Sequence, residues 1–448
     1  MNGYKQEKHT VIALIRKSLV LGVVVFLSGS VMAQPTTLRI ESVGGVDQRI
    51  PVAVPAVAFD DPALAPIAKV ITDVLRSDLA YSGECLVLTE SQFPKTFGGL
   101  TMDVNELDRD AWGATTAENL VYGNVHMEGD ELVTQFRLFD LFSKDQLAGQ
   151  ELRVKQTFPR LAAHRFTEEV LRQLTGVKGM GSSEIVFSGG ETGKKEIYIA
   201  DYDGANVKRL TNHGSISIKP KVSPDGNKIA YLSYKDRYSF LYIFNRHTGE
   251  SVPLSKEVGL NSAPAWAPDG QYLAMTLSKD GNTEIYLKNM DGTNARRLTN
   301  NKAGDTSPVF SPDGSRIAFV SDRIGNPNIF VMNVDGSNAT RVSFQGGSSY
   351  DPTWSPDGKS IAYVAEKTGE GLEIYMMDAN GQNPQRLTDT PGSNESPSWS
   401  PDSRHVAFMS TRRGSAELWS VTVKTGQQQP VSGLNLRSEG ANWGPRRL

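Results

Sequence analysis

Asp201-Tyr-Asp203-Gly204 and Asn333-Val-Asp335-Gly336 are the runs most like ligand-bearing loops. Each offers carboxylate oxygens beside a glycine, as a calcium loop does, but lacks the full ligand spacing and the closing glutamate. Both recur at one position of a repeat, so they read as hairpin turns in which Asp-Gly serves the backbone. Gly176-Val-Lys-Gly179-Met-Gly181 has the glycines of a phosphate loop, yet it follows a helical pattern instead of a strand and reads as a hinge. No Gly-x-Ser-x-Gly elbow is present to expose a nucleophilic serine. His9, His126, His164, His213, His247 and His405 are scattered, with no pair at metal-ligand spacing. Trp266, Phe310, Trp354, Trp399 and Trp443 would stack on sugars if exposed, but their repeated placement reads as packing between repeated units. These residues imply neither catalysis nor a cofactor.

The elements that carry them are repeats. Pro220-Lys-Val-Ser-Pro-Asp-Gly226 recurs from Pro264, Pro308, Pro352 and Pro397, at spacings of 44, 44, 44 and 45 residues. A degenerate copy, Ala441-Asn-Trp-Gly-Pro445, ends the chain. Pro-Asp-Gly is a tight turn, with proline fixing φ and glycine accepting the left-handed conformation. Each turn leads to an apolar strand such as Ile317-Ala-Phe-Val, a third strand such as Asn328-Ile-Phe-Val, and an outer strand such as Arg296-Arg-Leu-Thr299. Four short strands in a unit of this length make a propeller blade. Ile185-Val-Phe-Ser188 is a second strand without an inner one, and Ala441-Asn-Trp443 is an inner strand without followers. Together they complete a sixth blade, closing the ring and removing its open edges. Arg209, Arg297, Arg341 and Arg386 on the outer strands read as charges that blunt those edges.

In such a blade, the segment before the inner strand and the loop between strands two and three emerge at the same end. The six triplets there are Ser217-Ile-Lys219, Asn261-Ser-Ala263, Asp305-Thr-Ser307, Ser349-Tyr-Asp351, Asn394-Glu-Ser396 and Ser438-Glu-Gly440. They ring the mouth of a central channel. Asp305, Asp351, Glu395 and Glu439 make the rim acidic, with Lys235, Arg237, Lys279, Arg323, Arg412 and Arg413 further out. A polar rim over a concave mouth is where a propeller binds its ligand.

The remainder is of another kind. Ile50 to Val54 and Cys85 to Leu88 read as strands, and Asp103 to Trp112 as a short helix. The apolar residues from Ile67 to Leu79 recur at helical spacing. Leu120–Val125, Leu132–Phe139 and Leu147–Val154 form a meander, followed by a helix from Pro159 to Leu174. The expected fold is multi-domain α/β plus all-β: an N-terminal α/β domain over 34–178 with a mobile N-terminal segment, then a six-bladed β-propeller over 179–448 closed by the C-terminal strand. Residues 1–33 read as a signal peptide, with basic residues, an apolar run over Leu19–Leu27 and the small-x-small site Val31-Met32-Ala33. That run is too short to span a bilayer, and no transmembrane segment is expected in the mature chain. The single cysteine, Cys85, has no disulfide partner and reads as a buried strand residue. A net charge of −3, or −6 without the basic leader, argues against nucleic acid or an anionic membrane as partner.

The order of leader, α/β domain, Leu174-Thr-Gly-Val-Lys-Gly179, Asp201-Tyr-Asp-Gly204 and repeats ending in Trp443-Gly-Pro445 resembles the TolB family, the periplasmic component of the Tol-Pal cell-envelope system. The resemblance implies a monomeric, non-enzymatic scaffold supporting outer-membrane integrity and constriction during cell division. It implies docking of the lipoprotein Pal on the channel mouth, through Asn261, Ser262, Ala263, Asp305, Thr306, Ser307, Tyr350, Asp351 and Glu395. It implies contact with TolA through the mature N-terminus, about Gln34 to Asp47, with Leu38, Arg39, Ile40, Glu41, Val46 and Asp47 as contact residues; other envelope proteins could share these surfaces. Leu260 stands where the family pattern has histidine, a departure at the rim. Calcium in the channel is compatible with the family. The alternatives are a periplasmic propeller enzyme, related to lyases or peptidases, and a glycan-binding module.

Overall fold

The structure, a computed structural model, describes residues 48–95, 108–143, 145–345, 347–367, 371–431, 433–434 and 436–447. The leader and the expected TolA-contact residues Leu38, Arg39, Ile40, Glu41, Val46 and Asp47 lie outside the described residues.

The α/β domain has a sheet in the order β3 (Cys85–Val87), β1 (Ile50–Ala53), β4 (Asn119–Glu128), β5 (Glu131–Asp140), β6 (Gln146–Lys155), with β2 (Ala58–Phe59) also paired to β4. The pairings of β1 are parallel, while β4, β5 and β6 form the expected antiparallel meander. Helix α1 (Ala65–Tyr81) buries Ile71, Val74, Leu75 and Leu79 along one stripe, as its 3.6-residue period requires. The short helix expected from Asp103 is described as α2 (Arg109–Gly113); Asp108 caps it by accepting the Ala111 N–H at 3.0 Å. Helix α3 (Pro159–Thr175) starts with proline, where no N–H is needed, and ends at Gly176 with φ of 77°. Both long helices pack against the sheet in one core that includes Cys85, whose thiol burial pushes up to about 12.

The propeller has six four-stranded antiparallel blades. Blades 1 to 5 run in chain order from inner strands Ser217–Val222, Asn261–Trp266, Asp305–Phe310, Ser349–Trp354 and Asn394–Trp399. In blade 6 the C-terminal strand Ser438–Arg446 pairs with Ser183–Glu191, bringing Trp443 opposite Ile185, as the split repeat required. The glycines of the turns have φ of 74°, 69°, 71° and 72°, and Ser403 adopts 61° in the copy that lacks glycine. Repeat aromatics Phe310, Trp354, Trp399 and Trp443 are buried in cores between blades, and Trp266 is half-buried. The indole N–H of Trp399 reaches back to the Thr353 carbonyl at 3.1 Å, stitching blade 5 to blade 4.

Two expectations are corrected. The glycine run before the propeller is not a free hinge: a Cβ on Gly181 would lie 2.8 Å from the His164 carbonyl, and Met180 and Ser182 are buried. Glu168 fixes this segment by accepting the Ser182 N–H at 2.7 Å and its hydroxyl at 2.6 Å. The outer-strand arginines do more than blunt an edge. Arg297 and Arg386 turn inward to Glu284 and Glu373 at 2.8 and 2.9 Å, because those third-strand carboxylates are buried and require a counter-charge.

The α/β domain docks on the end of blade 5 opposite the triplets. There the Tyr81 hydroxyl lies 2.6 Å from Ser420 Oγ, His405 Nε2 lies 2.8 Å from the Tyr81 carbonyl, and Lys424 pairs with Glu84 at 2.7 Å. Behind this seam Asp78 accepts hydrogen bonds from Thr167 and from Tyr202 of blade 6, and contacts His164 Nδ1 at 2.8 Å. The triplet end of the ring remains clear of these contacts.

Candidate partner-binding channel and rim

The six inner strands enclose a channel of about 480 Å³. In every blade the ladder shifts register after the second triplet residue, for example between Ile218 and Lys221 and between Thr306 and Val309. At this bulge the third triplet residue has positive φ: Lys219 53°, Ala263 48°, Ser307 51°, Asp351 45°, Ser396 56° and Gly440 62°. A bulge re-aims a side chain, and all six of these residues line the channel.

The same bulge sorts the predicted site residues into three groups. Ala263, Ser307 and Asp351 line the channel. Ser262, Thr306, Tyr350 and Glu395, second in their triplets, are half-buried. Asn261 and Asp305, the first residues, are fully buried, a correction to their placement on the rim. The Asn261 side chain accepts from Ser255 Oγ at 2.8 Å and donates to the Glu257 carbonyl at 2.8 Å. The Asp305 carboxylate is clasped by Arg323 at 2.9 and 3.1 Å and by Asn301 at 2.7 Å. These two hold the loops that build the rim and offer a partner nothing directly.

The outer basic belt is also partly committed. Arg412 lies over Trp419 at 4.1 Å and Lys235 over Tyr242 at 4.2 Å, so the cations cover aromatic faces of the third strands. At the mouth, Glu439 is paired with Lys195. Glu395 is held above the usual carboxylate range by burial and then by Asp351 and Glu439, with Lys219 acting the other way. Among the described residues no three His, Cys, Asp or Glu side chains come together as a metal site, and Lys219 and Lys221 stand in the channel wall. This donor set does not fit a calcium ion.

Along the blade 1 to blade 3 side of the mouth runs a partial apolar collar that sequence reasoning missed, apart from Leu260. Tyr234, Tyr238, Val258, Leu260, Ile324 and Phe344 are exposed, with Val258 at 86% and Tyr238 at 69%. All lie in loops at the triplet end: Ser217 pairs with Ser233, Ser233 with Phe240, and Leu241 with Ser255. No periodicity marks them, because they sit in loops whose residue types change from blade to blade: Tyr234 is matched by Ser278, Asp322 and Thr411.

The architecture defines a class: an α/β domain docked on one end of a closed six-bladed propeller whose other end presents an open channel. Residues 38–147 match the TolB amino-terminal domain, and residues 171–371 and 347–447 match the TolB beta propeller domain. The chain is similar to the Tol-Pal system protein TolB of Ruegeria sp., 34% identical over 51% of this chain and 52% of that protein. The corresponding protein of Dinoroseobacter shibae is 37% identical over 47% of this chain and 48% of its own length. The chain thus spans about half the length of the relatives it matches. The crystal structure of TolB from Acinetobacter baumannii superposes with a TM-score of 0.78 at 27% identity, covering 89% of this chain and 97% of that one. The chain belongs to the TolB family.

Proposed function

We propose that this protein is a periplasmic, non-enzymatic scaffold of the Tol-Pal system, binding the lipoprotein Pal over the channel mouth and TolA through residues 34–47. In that role it supports outer-membrane integrity and constriction during division. The observation that carries the rim reading is the apolar collar, which flanks a polar channel mouth along blades 1 to 3 on the end away from the α/β domain. A soluble protein leaves such a surface uncovered where another macromolecule occupies it. Burial of Trp354, Trp399 and Trp443 favours this reading over a glycan-binding module, since Trp266 alone of the repeat tryptophans keeps part of its ring exposed.

The test is calorimetric titration of the chain over residues 34–448 with Pal from the same organism. Tyr238→Ser combined with Leu260→Ser is expected to weaken binding at least about ten-fold, in the range of interface hot spots. Phe142→Ser, at an exposed turn of the α/β domain, serves as the control and should change nothing. Wild-type protein that does not bind Pal, or binding indifferent to the collar pair, would sink the proposal. Deleting residues 34–47 should abolish TolA binding and leave Pal binding in place.

A further inference from the structure

The propeller supplies six copies of the channel wall for comparison. Two residues beyond the bulge, blades 2 to 6 carry Ala265, Val309, Thr353, Ser398 and Asn442, all uncharged. Blade 1 carries Lys221, where its inner strand reads Lys219-Pro-Lys-Val222 and lacks the Trp or Phe that ends this run in the other blades. An extended strand rises about 3.3 Å per residue, so Lys221 starts roughly 7 Å below the mouth.

Lys221 is half-buried and has neither an ion pair nor a side-chain hydrogen bond among the described residues. Burial lowers its affinity for a proton, Asp351 opposes that effect, and Lys219 reinforces it. The base of the side chain is fixed. The Trp266 indole donates to the Lys221 carbonyl at 2.9 Å, and the Val222 N–H donates to Asn442 Oδ1 at 2.8 Å. A positioned, half-buried ammonium with no carboxylate in contact with it is built to receive an anion. Asp351 lies three blades away around a ring of six, on the opposite wall, so the field across the mouth draws a negative group toward blade 1.

We propose that Lys221 anchors a carboxylate site inside the channel, and that its ligand is an Asp or Glu side chain on an extended segment of the partner that covers the rim. This rests on the rim reading above and adds the chemistry that enters the channel. The rest of the wall is largely apolar, with Pro220, Pro264, Pro308 and Val309. A carboxylate carried on a polypeptide therefore gains contacts that a free anion does not.

The probes are acetyl-Ala-Asp-Ala-amide, its Asn counterpart and sodium acetate, titrated into the chain over residues 34–448. The readout is the Trp266 indole N–H resonance. The Asp peptide is expected to shift it at a concentration at least about ten-fold below that needed for the other two, the scale of one charge-assisted hydrogen bond. Lys221→Met should remove the response and Lys221→Arg should retain it, which separates lost charge from a damaged fold. Equal response to the Asn peptide, equal response to acetate, or an unchanged response in Lys221→Met overturns the proposal. Pal titrations keep the two readings apart. Lys221→Met binding Pal like wild type, while the collar pair weakens it, refutes the carboxylate anchor and leaves the rim standing. Wild type failing to bind Pal removes the rim reading and the partner-borne ligand with it.

Discussion

Asp305→Ala separates the two roles a rim aspartate can have. Asp305 is fully buried and accepts from Arg323 and Asn301 at 2.7 to 3.1 Å. Removing one partner of a buried ion pair costs about 3–5 kcal/mol when the remaining charge is stranded. The Arg323 side chain keeps 26% exposure and can recover water, so the loss here falls to about 2–3 kcal/mol. For a propeller of this size that corresponds to a fall of about 3–5 °C in Tm. The assay is calorimetric unfolding of Asp305→Ala beside Asp351→Ala, whose side chain lines the channel and has no ion pair among the described residues. Asp351→Ala should unfold within about 1 kcal/mol of wild type, since Ala263 adopts the same left-handed backbone at the matching position of blade 2. Any loss of Pal binding in Asp305→Ala should track loss of rim structure. An Asp305→Ala protein as stable as wild type that no longer binds Pal would refute the structural assignment and return Asp305 to the contact surface.

The Asp78–His164 pair predicts a pH window for docking of the α/β domain. Burial disfavours both charges, but the pair outweighs it, lowering Asp78 below 3.8 and raising His164 above 6.5. The histidine contribution is complete below pH 6.5 and is lost as pH rises through its raised value. The aspartate contribution is present above pH 3.8 and is lost as pH falls through its lowered value. Wild-type Tm should therefore be highest in mildly acidic buffer and fall on the alkaline side, a limb that His164→Gln should flatten; parallel pH profiles would contradict this. Ser403→Gly should raise stability by roughly 0.5–1 kcal/mol, since φ there is 61° and glycine occupies the matching turns of blades 1 to 4. A lower Tm would mean that the Asp357 N–H to Ser403 Oγ contact of 3.2 Å between neighbouring turns matters more than backbone strain.

Local rules carried the sequence reading a long way. Blade number and closure were legible because one repeat unit cannot bury its own apolar faces, so a period of 44 residues dictates stacking and the two end fragments can only complete each other. The helices of the α/β domain were legible from apolar period, proline starts and the stop at Gly176. What the triplets do was decided in three dimensions. Asp305 and Asp351 look equivalent as acidic rim residues, yet a bulge after the second position turns one into the blade and the other into the channel. That bulge arises from pairing with a strand that begins some ten residues later, and no local pattern of residue types announces it. The packed glycine run likewise depended on Asp78, His164 and Tyr202 converging from three distant segments. The apolar collar depended on the ring bringing loops of different blades to one end. Sequence determined which elements form and how many; the tertiary arrangement determined which side chains face the partner, because facing is set by long-range pairing.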